Sequence, residues 1–485
     1  MFRRLLPIPL LLAIASASAS AAAAAQTPPP ASAPRNVITL AALAARVEQL
    51  EHQLAERDAA PSETAAENEA LRQRVAVLER QAELQREDTA TKLASAPVLN
   101  VNYKGLSAKS ADGAYEIRLR GAVQSDHRSF ATGDGGQNDG FAFRLVRPTI
   151  EGSLGPLVAF RITPEFAGDT ASLVDAWIDL RFDPRYTLRA GKFTSPVGLE
   201  RLQSSTALSM MERGLASELA PNREIGVQLQ GELAKGRVSY ALGAFNGTVD
   251  GRDATAADVD GNVELAGRVF FEPWKNAANA LSGLGFGLGA SVGDKNGAGN
   301  NFLPRYRTPG QNVFFNYRSR VIADGNHQRF SPQGYYYHNR LGLLGEWISS
   351  EQDVQVGSNA ASHTALESRA WQLTGSWVLT GEDASYRGIT KPHDPFAING
   401  AGWGAFELVA RVGELQVDDA AFPIYADPSV SARRIRAWGL GINWYLNQNL
   451  KLVFNHSHAS FDGGAPLGAD REDEQAYFTR MQVAF

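Results

Sequence analysis

Two arginines three residues apart lie in Phe143-Arg144-Leu145-Val146-Arg147-Pro148-Thr149-Ile150-Glu151-Gly152, a stretch that otherwise reads as a strand. An arginine guanidinium is planar, permanently charged and offers its donors in a fork, which suits bidentate contact with an oxyanion. Further along, the 30 residues Thr194 to Arg223 carry Arg201 and Arg213. Lys192 and Arg223 flank them, against Glu200, Glu212, Glu218 and Glu224. That segment is neither strand nor clean helix, and a loop of such length without structure of its own is usually functional. Folded into a pore, it would set the minimum radius and place charge where ions shed water. On a regular strand Arg144 and Arg147 cannot share a face. Phe143 and Leu145 put Arg144 inward, and a bulge near Arg147 would bring both to the same side.

The elements that must position these groups have a period of two. Tyr115/Ile117/Leu119, Val158/Phe160/Ile162 and Val174/Ala176/Ile178/Leu180 alternate with charged or polar residues, and the pattern continues through Trp438/Leu440/Ile442/Trp444 to Tyr477–Phe485. Short turns such as Gly155-Pro156, Asp183-Pro184-Arg185 and Asn447-Gln448-Asn449 alternate with long polar loops at 126–139, 194–223, 247–261, 293–328, 354–366, 418–432 and 462–472. Together these predict an all-β transmembrane barrel of about 16 antiparallel strands, with Gln311–Gln328 as a hairpin inside a loop and a water-filled lumen. The connection 381–401 is too long for a simple turn. Alternation puts Arg118, Arg120, Arg161, Arg189, Arg268, Arg411 and Arg480 on the lumen face, together with Glu116, Asp175, Asp179, Glu264 and Glu407. The competing reading is that these charges pair as salt bridges along the wall and select nothing.

Composition sets the remaining bounds. The 485 residues include no cysteine, which removes disulfides, thiol catalysis and cysteine-ligated metals. No apolar run beyond the N-terminus is long enough for a helical membrane span. Residues 1–25 read as a secretory signal: Arg3 and Arg4, an apolar core from Leu5 to Ala15, and small residues ending at Ala25. Residues 26–36 form a Pro/Ala-rich linker. In 37–97 a stripe of Leu40, Leu43, Val47, Leu50 and Leu54, then Leu71, Val75 and Leu78, predicts a short coiled coil between subunits. Residues 98–485 form the barrel. No catalytic constellation and no cofactor are called. His456 and His458 share a strand face, but no third metal ligand can be named, so no metal is called either. From residue 100 onward there are 29 arginines and 8 lysines against 41 acidic residues, 29 + 8 − 41 = −4, so distribution rather than net charge must decide any anion preference.

These stretches resemble one family. Arg144–Gly152, Asp175-Ala-Trp-Ile-Asp-Leu-Arg181, Arg189–Arg201 with its Gly-Lys-Phe-Thr-Ser-Pro core, Pro221–Val227, Ser331–Tyr337, Leu343-Leu-Gly-Glu346, Leu379–Tyr386 and Phe406–Arg411 are similar to the phosphate-selective porins O and P of proteobacterial outer membranes. The resemblance implies a homotrimer of 16-stranded barrels in the outer membrane, each with an arginine-lined path. It implies a constriction for phosphate or polyphosphate near Arg144, Arg147, Asp175, Lys192 and Arg223. With Arg201, Arg213, Arg118, Arg120 and Arg161, these are the candidate anion-binding residues. The resulting expectation is a passive channel for small anions, touching membrane lipid and lipopolysaccharide, with its N-terminal segment in the periplasm. The alternatives are a general-diffusion pore, or a structural tether between the outer membrane and peptidoglycan.

Overall fold

Alternating strands with one apolar and one polar face satisfy their backbone groups within a membrane only by closing on themselves, and this chain does so. The computed structural model describes residues 40–58, 65–131 and 139–485. The signal and linker readings (1–25 and 26–36) lie outside the described residues, as does 132–138 of the first polar loop. Two helices, α1 (Leu40–Asp58) and α2 (Ala65–Ser95), form one compact unit and Ala96–Phe485 the other. The helices pack on each other within the chain, with Leu43 and Leu50 buried and Leu71, Val75 and Leu78 half-buried. None of the described helices is long and apolar enough to cross a membrane.

The second unit begins with a hairpin, β1 (Val98–Asn102) and β2 (Gly105–Lys109). Next come β3 (Tyr115–Phe130), β4 (Gly140–Leu154), β5 (Val158–Glu165), β6 (Ser172–Asp183) and β7 (Tyr186–Thr194). The inward loop that follows carries α3 (Leu199–Leu202) and α4 (Ala216–Leu219), and leads to β8 (Arg223–Leu233), β9 (Val238–Phe245), β10 (Glu264–Phe271) and β11 (Leu284–Ala298). A small separate hairpin, β12 (Arg305–Arg307) and β13 (Val313–Asn316), precedes β14 (Val321–His338), β15 (Leu341–Val356) and β16 (Asn359–Val378). The chain finishes with β17 (Ala405–Gln416), β18 (Ala432–Tyr445), β19 (Leu450–Gly463) and β20 (Glu474–Ala484).

β3–β11 and β14–β20 pair antiparallel in sequence, and β20 returns to β3, which closes a barrel of sixteen strands. The seam is tight. Phe485 exchanges two backbone hydrogen bonds of 2.9 Å with Gly121, and a Cβ on Gly121 would sit 2.7 Å from the Phe485 ring. The first half of β3 pairs instead with β2, through Leu106↔Leu119 and Lys109↔Glu116. Outward positions carry an exposed apolar belt that includes Leu119, Phe286, Trp371, Leu408, Trp438, Phe454 and Met481, as a lipid-facing surface requires.

The connections depart from the sequence reading in three places. The stretch 354–366 is no long loop: β15 and β16 meet at a tight turn through Gly357, because β15 stays paired with β14 to Val356 and β16 begins ten residues before its pairing with β17. The stretch 293–328 is largely strand, and its internal hairpin lies at 305–316 rather than 311–328. The lumen is also not simply water-filled. The β12–β13 hairpin and the inward loop fill one side with an apolar core in which Phe314, Phe315, Val197 and Leu219 are fully buried. Tyr306 stacks on Phe315 at 5.5 Å and Phe314 approaches Phe461 at 6.3 Å.

One ion pair fastens the closing seam. Arg480 of β20 grips Asp126 of β3 through two bonds of 2.7 and 2.8 Å, with both side chains buried. Removing Asp126 leaves the buried Arg480 guanidinium with only Glu212, 3.9 Å away, as counter-charge, at a cost that approaches the roughly 3–5 kcal/mol of a broken buried pair. Asp126→Ala is therefore expected to lower the urea midpoint of the detergent-folded barrel, followed by loss of its heat-modifiable gel mobility. The double change Asp126→Leu with Arg480→Met should recover most of that loss. Equal midpoints for the wild type and Asp126→Ala would show that the seam does not depend on this pair.

Candidate constriction site

The inward loop, residues 195–222, leaves β7 and returns to β8 with its ends tied by Ser195 N–H to the Asn222 carbonyl at 3.0 Å. Inside the lumen it is laced to nine consecutive strands. Gln333 of β14 donates to the Val197 carbonyl at 2.7 Å. Glu346 of β15 accepts from the Leu199 and Glu200 amides at 2.7 and 3.2 Å, which occupies the start of α3. Glu200 in turn accepts from Gln372 of β16 at 3.0 Å and from Arg411 of β17 at 2.5 Å. Asn443, Lys451 and Asn455 then bond Ser209, Leu208 and Met211, and Arg480 and Gln482 bond Met211 and Thr206. Gln124 of β3 reaches Ser205 at 3.2 Å, and Arg144 of β4 clasps Glu212 at 2.8 and 3.0 Å. From the short-turn end, the long connection 379–404 rises to the loop: Tyr386 donates to the Leu199 carbonyl and accepts from Gln203, both at 2.6 Å.

Between the loop, β4 and the β9–β10 connection lies a polar cavity of about 440 Å³. Arg144 and Arg147 both reach it. The bulge that allows this sits at Arg144 rather than Arg147: Gln124 pairs with Leu145 and Ser125 with Phe143, so Arg144 is the extra residue. Arg201 and Arg213 come from the loop and Arg223 from the start of β8. Two more arginines line the same cavity, Arg252 of the β9–β10 connection and Arg307 of β12, and the sequence reading named neither. They sit in polar loop sequence with no alternation to assign them a face. Seven arginines face three acidic groups, Glu212, Glu218 and Asp253, so the wall carries 7 − 3 = +4.

Partnering divides these cations. Arg144 is held by Glu212, Arg147 by Glu165 at 2.6 Å, Arg223 by Asp175 at 3.5 Å and Arg307 by Glu218 at 3.4 Å. Among the described residues Arg213 donates only to the Glu200 and Gln203 carbonyls, and Arg201 only to the Ser217 carbonyl. Nε and one terminal nitrogen of Arg252 are buried without a partner. Among the described residues no carboxylate lies within ion-pair distance of Arg201, Arg213 or Arg252. Burial, and after it the Arg201 charge, pushes the Arg213 guanidinium down to about 9; burial and then Arg305 and Arg307 lower Arg252. Crowded, poorly compensated guanidinia of this kind are relieved by an incoming anion.

The remaining candidates lie elsewhere. Asp175 stands behind the cavity wall through its contact with Arg223. Lys192 pairs in register with Ala176 and Ile225, on the face of β7 opposite Arg189 and Phe193, and its ammonium bonds the Ala254 carbonyl at 3.0 Å; it does not line the cavity. Arg118, Arg120 and Arg161 face inward nearer the short-turn end. There they pair with Glu116 (2.8 Å) and with Glu151 (3.2 and 2.6 Å), the wall salt bridges of the competing reading.

The sequence profile of the phosphate-selective porin O and P family matches residues 117–485. Porin O of Pseudomonas aeruginosa is 24% identical over 409 residues, covering 79% of this chain and 91% of that protein. An uncharacterized protein of Caulobacter vibrioides is 25% identical over 418 residues, 79% of this chain and 76% of its own. Among solved structures, the outer-membrane channel DcaP of Acinetobacter baumannii superposes with a TM-score of 0.49 at 12% identity, over 78% of this chain and 99% of that one.

The anchoring of the loop carries a pH signature. Burial alone would raise the Glu212 carboxyl, but Arg144, with Arg128 and Arg480, holds it far below the usual carboxylate range. A depressed folded pKa gives stability that is complete above the unfolded value of about 4.3 and is lost as pH falls below it. Single-channel current is therefore expected to keep one level from neutral pH to about pH 4, then to rise and become noisy as the loop is released. Glu212→Gln should show that noisy state at neutral pH. A quiet, unchanged current in the variant would mean that the carboxylate does not hold the loop.

Proposed function

The chain belongs to the phosphate-selective porin O and P family, and from that premise we propose that it is a passive outer-membrane channel for small oxyanions, with phosphate or polyphosphate as the preferred permeant. The observation that carries the reading is the trio Arg201, Arg213 and Arg252, which line one cavity with no carboxylate partner. A phosphate dianion entering there exchanges its water for forked N–H donors in a confined site of reduced dielectric. The paired arginines, Arg144, Arg147 and Arg223, would keep their positions through their carboxylates and lend donors on the open side. Because the bound anion meets several weak grips rather than one closed cage, it can leave as well as enter.

The barrel has long loops at one end, apart from the β5–β6 and β15–β16 connections, and short turns at the other, apart from 379–404 and the β10–β11 connection; the short-turn end is the periplasmic one in outer-membrane barrels. The chain enters β3 at that end, so we place the N-terminal helices in the periplasm, where peptidoglycan is within their compartment. The family supports a homotrimer, and the apolar outer belt supplies surface for lipid, lipopolysaccharide and neighbouring subunits. The salt bridges of Arg118, Arg120 and Arg161 favour a second reading, a general-diffusion pore in which wall charges only stiffen the barrel.

Planar-bilayer recordings separate the two. The wild type should reverse toward the anion potential across a chloride gradient and be blocked by added phosphate. Arg213→Ala and Arg252→Ala should each raise the half-blocking phosphate concentration by about tenfold, as expected for one charge-assisted hydrogen bond. Arg161→Ala should leave it within twofold. Cation preference, or current indifferent to phosphate, would retire the oxyanion reading and leave the general-diffusion one.

A further inference from the structure

The outer face of the wall holds a second site, remote from the lumen. At the short-turn end, a shallow cleft of about 520 Å³ opens where the β14–β15 turn meets the start of the 379–404 connection. Its apolar side is built by register: His338 pairs with Leu341 and Leu341 with Trp377, so these side chains share the outward, lipid-facing side with Tyr336. Trp377 is 48% exposed there, and the His338 ring stacks on Tyr336 at 6.2 Å and 23°. Aromatic residues with one greasy face and one polar edge are those that settle at the boundary of a bilayer.

The rim of the cleft is charged with both signs. Arg340, in the tight turn, and Asp383, in the connection, both line it. Among the described residues neither has an ion-pair or hydrogen-bonding partner for its side chain, and they do not pair with each other. The Arg340 guanidinium lies across Gly381, whose φ is +106°; a Cβ there would stand 3.3 Å from its terminal nitrogen, so the glycine lets the guanidinium lie close against the connection. The Asn339 side-chain amide donates to His338 Nε2 at 3.2 Å, and the tautomer that accepts there carries its proton on Nδ1, a further donor on a residue that lines the cleft with Arg340.

We propose that this cleft seats a phospholipid with a phosphoethanolamine headgroup. Its phosphate meets Arg340 and His338, its primary ammonium meets Asp383, and its acyl chains run along Trp377 and Leu341. An unpaired cation and an unpaired anion in one small cleft complement a zwitterion. A purely anionic headgroup would satisfy Arg340 but face Asp383 uncompensated, and a quaternary ammonium has no N–H to give the carboxylate. The site lies at the periplasmic end of the barrel, so the lipid belongs to the inner leaflet of the outer membrane.

The test uses the detergent-purified full chain incubated separately with phosphatidylethanolamine, phosphatidylglycerol and phosphatidylcholine of identical acyl chains. Retained lipid is counted by native mass spectrometry, and heat-modifiable gel mobility reports that each variant is folded. The wild type should retain phosphatidylethanolamine over both others, and Arg340→Ala and Asp383→Asn should each weaken that retention by about tenfold. Arg340→Lys should weaken it less than Arg340→Ala. Equal retention of the three lipids, or preference for phosphatidylglycerol that Asp383→Asn leaves untouched, would overturn the assignment.

Discussion

A loop can cross the inside of this barrel because its two buried carboxylates find guanidinia waiting on the wall. Glu200 and Glu212 lie where an unpaired charge would be prohibitively expensive, and Arg411 on one side and Arg144, Arg128 and Arg480 on the other make burial tolerable. The dependence is mutual, because a wall arginine facing an empty lumen would need a counter-charge of its own. With the loop in place, side chains on nine strands have fixed partners. The cavity is what the loop leaves uncovered.

That division lets one wall serve two ends. Around the loop the lumen is packed like the interior of a soluble protein, against the β12–β13 hairpin in one cluster and, separately, against Tyr386 of the 379–404 connection in another. Beside that packing, on the polar sides of the same loop and hairpin, lie the cations that have no carboxylate partner among the described residues. Paired charges and apolar packing hold the frame, and the trio without carboxylate partners is the part that the proposed oxyanion path draws on.

Much of the architecture could be read from the sequence, since a period of two over most of the chain admits few folds and the turn spacing points the same way. The inward loop was equally legible, because a stretch of mixed charge as long as 194–223 between two strands is seldom an idle connection. The lines of the site were harder. A single extra residue at Arg144 reverses the face of everything before it, and no local pattern distinguishes a bulge there from one at Arg147. Lys192 belongs to the same sequence cluster as the cavity residues yet takes the other face of its strand. Arg252 and Arg307 reach the cavity only because distant connections fold inward, a fact of tertiary packing that leaves no local trace.

The hairpin of β1 and β2 extends the sheet beside the first half of β3, and β1 pairs on one side only. Closing a barrel removes the edges of its two end strands, yet β1 leaves one open: five residues, with Val98, Leu99 and Val101 all exposed. Shortness is itself a protection, since a template of five residues offers few backbone bonds to an invading strand. The start of β16, from Asn359 to Ser368, runs beyond its pairing with β17 and is a second such ledge, so strand addition to the folded sheet has more than one place to begin.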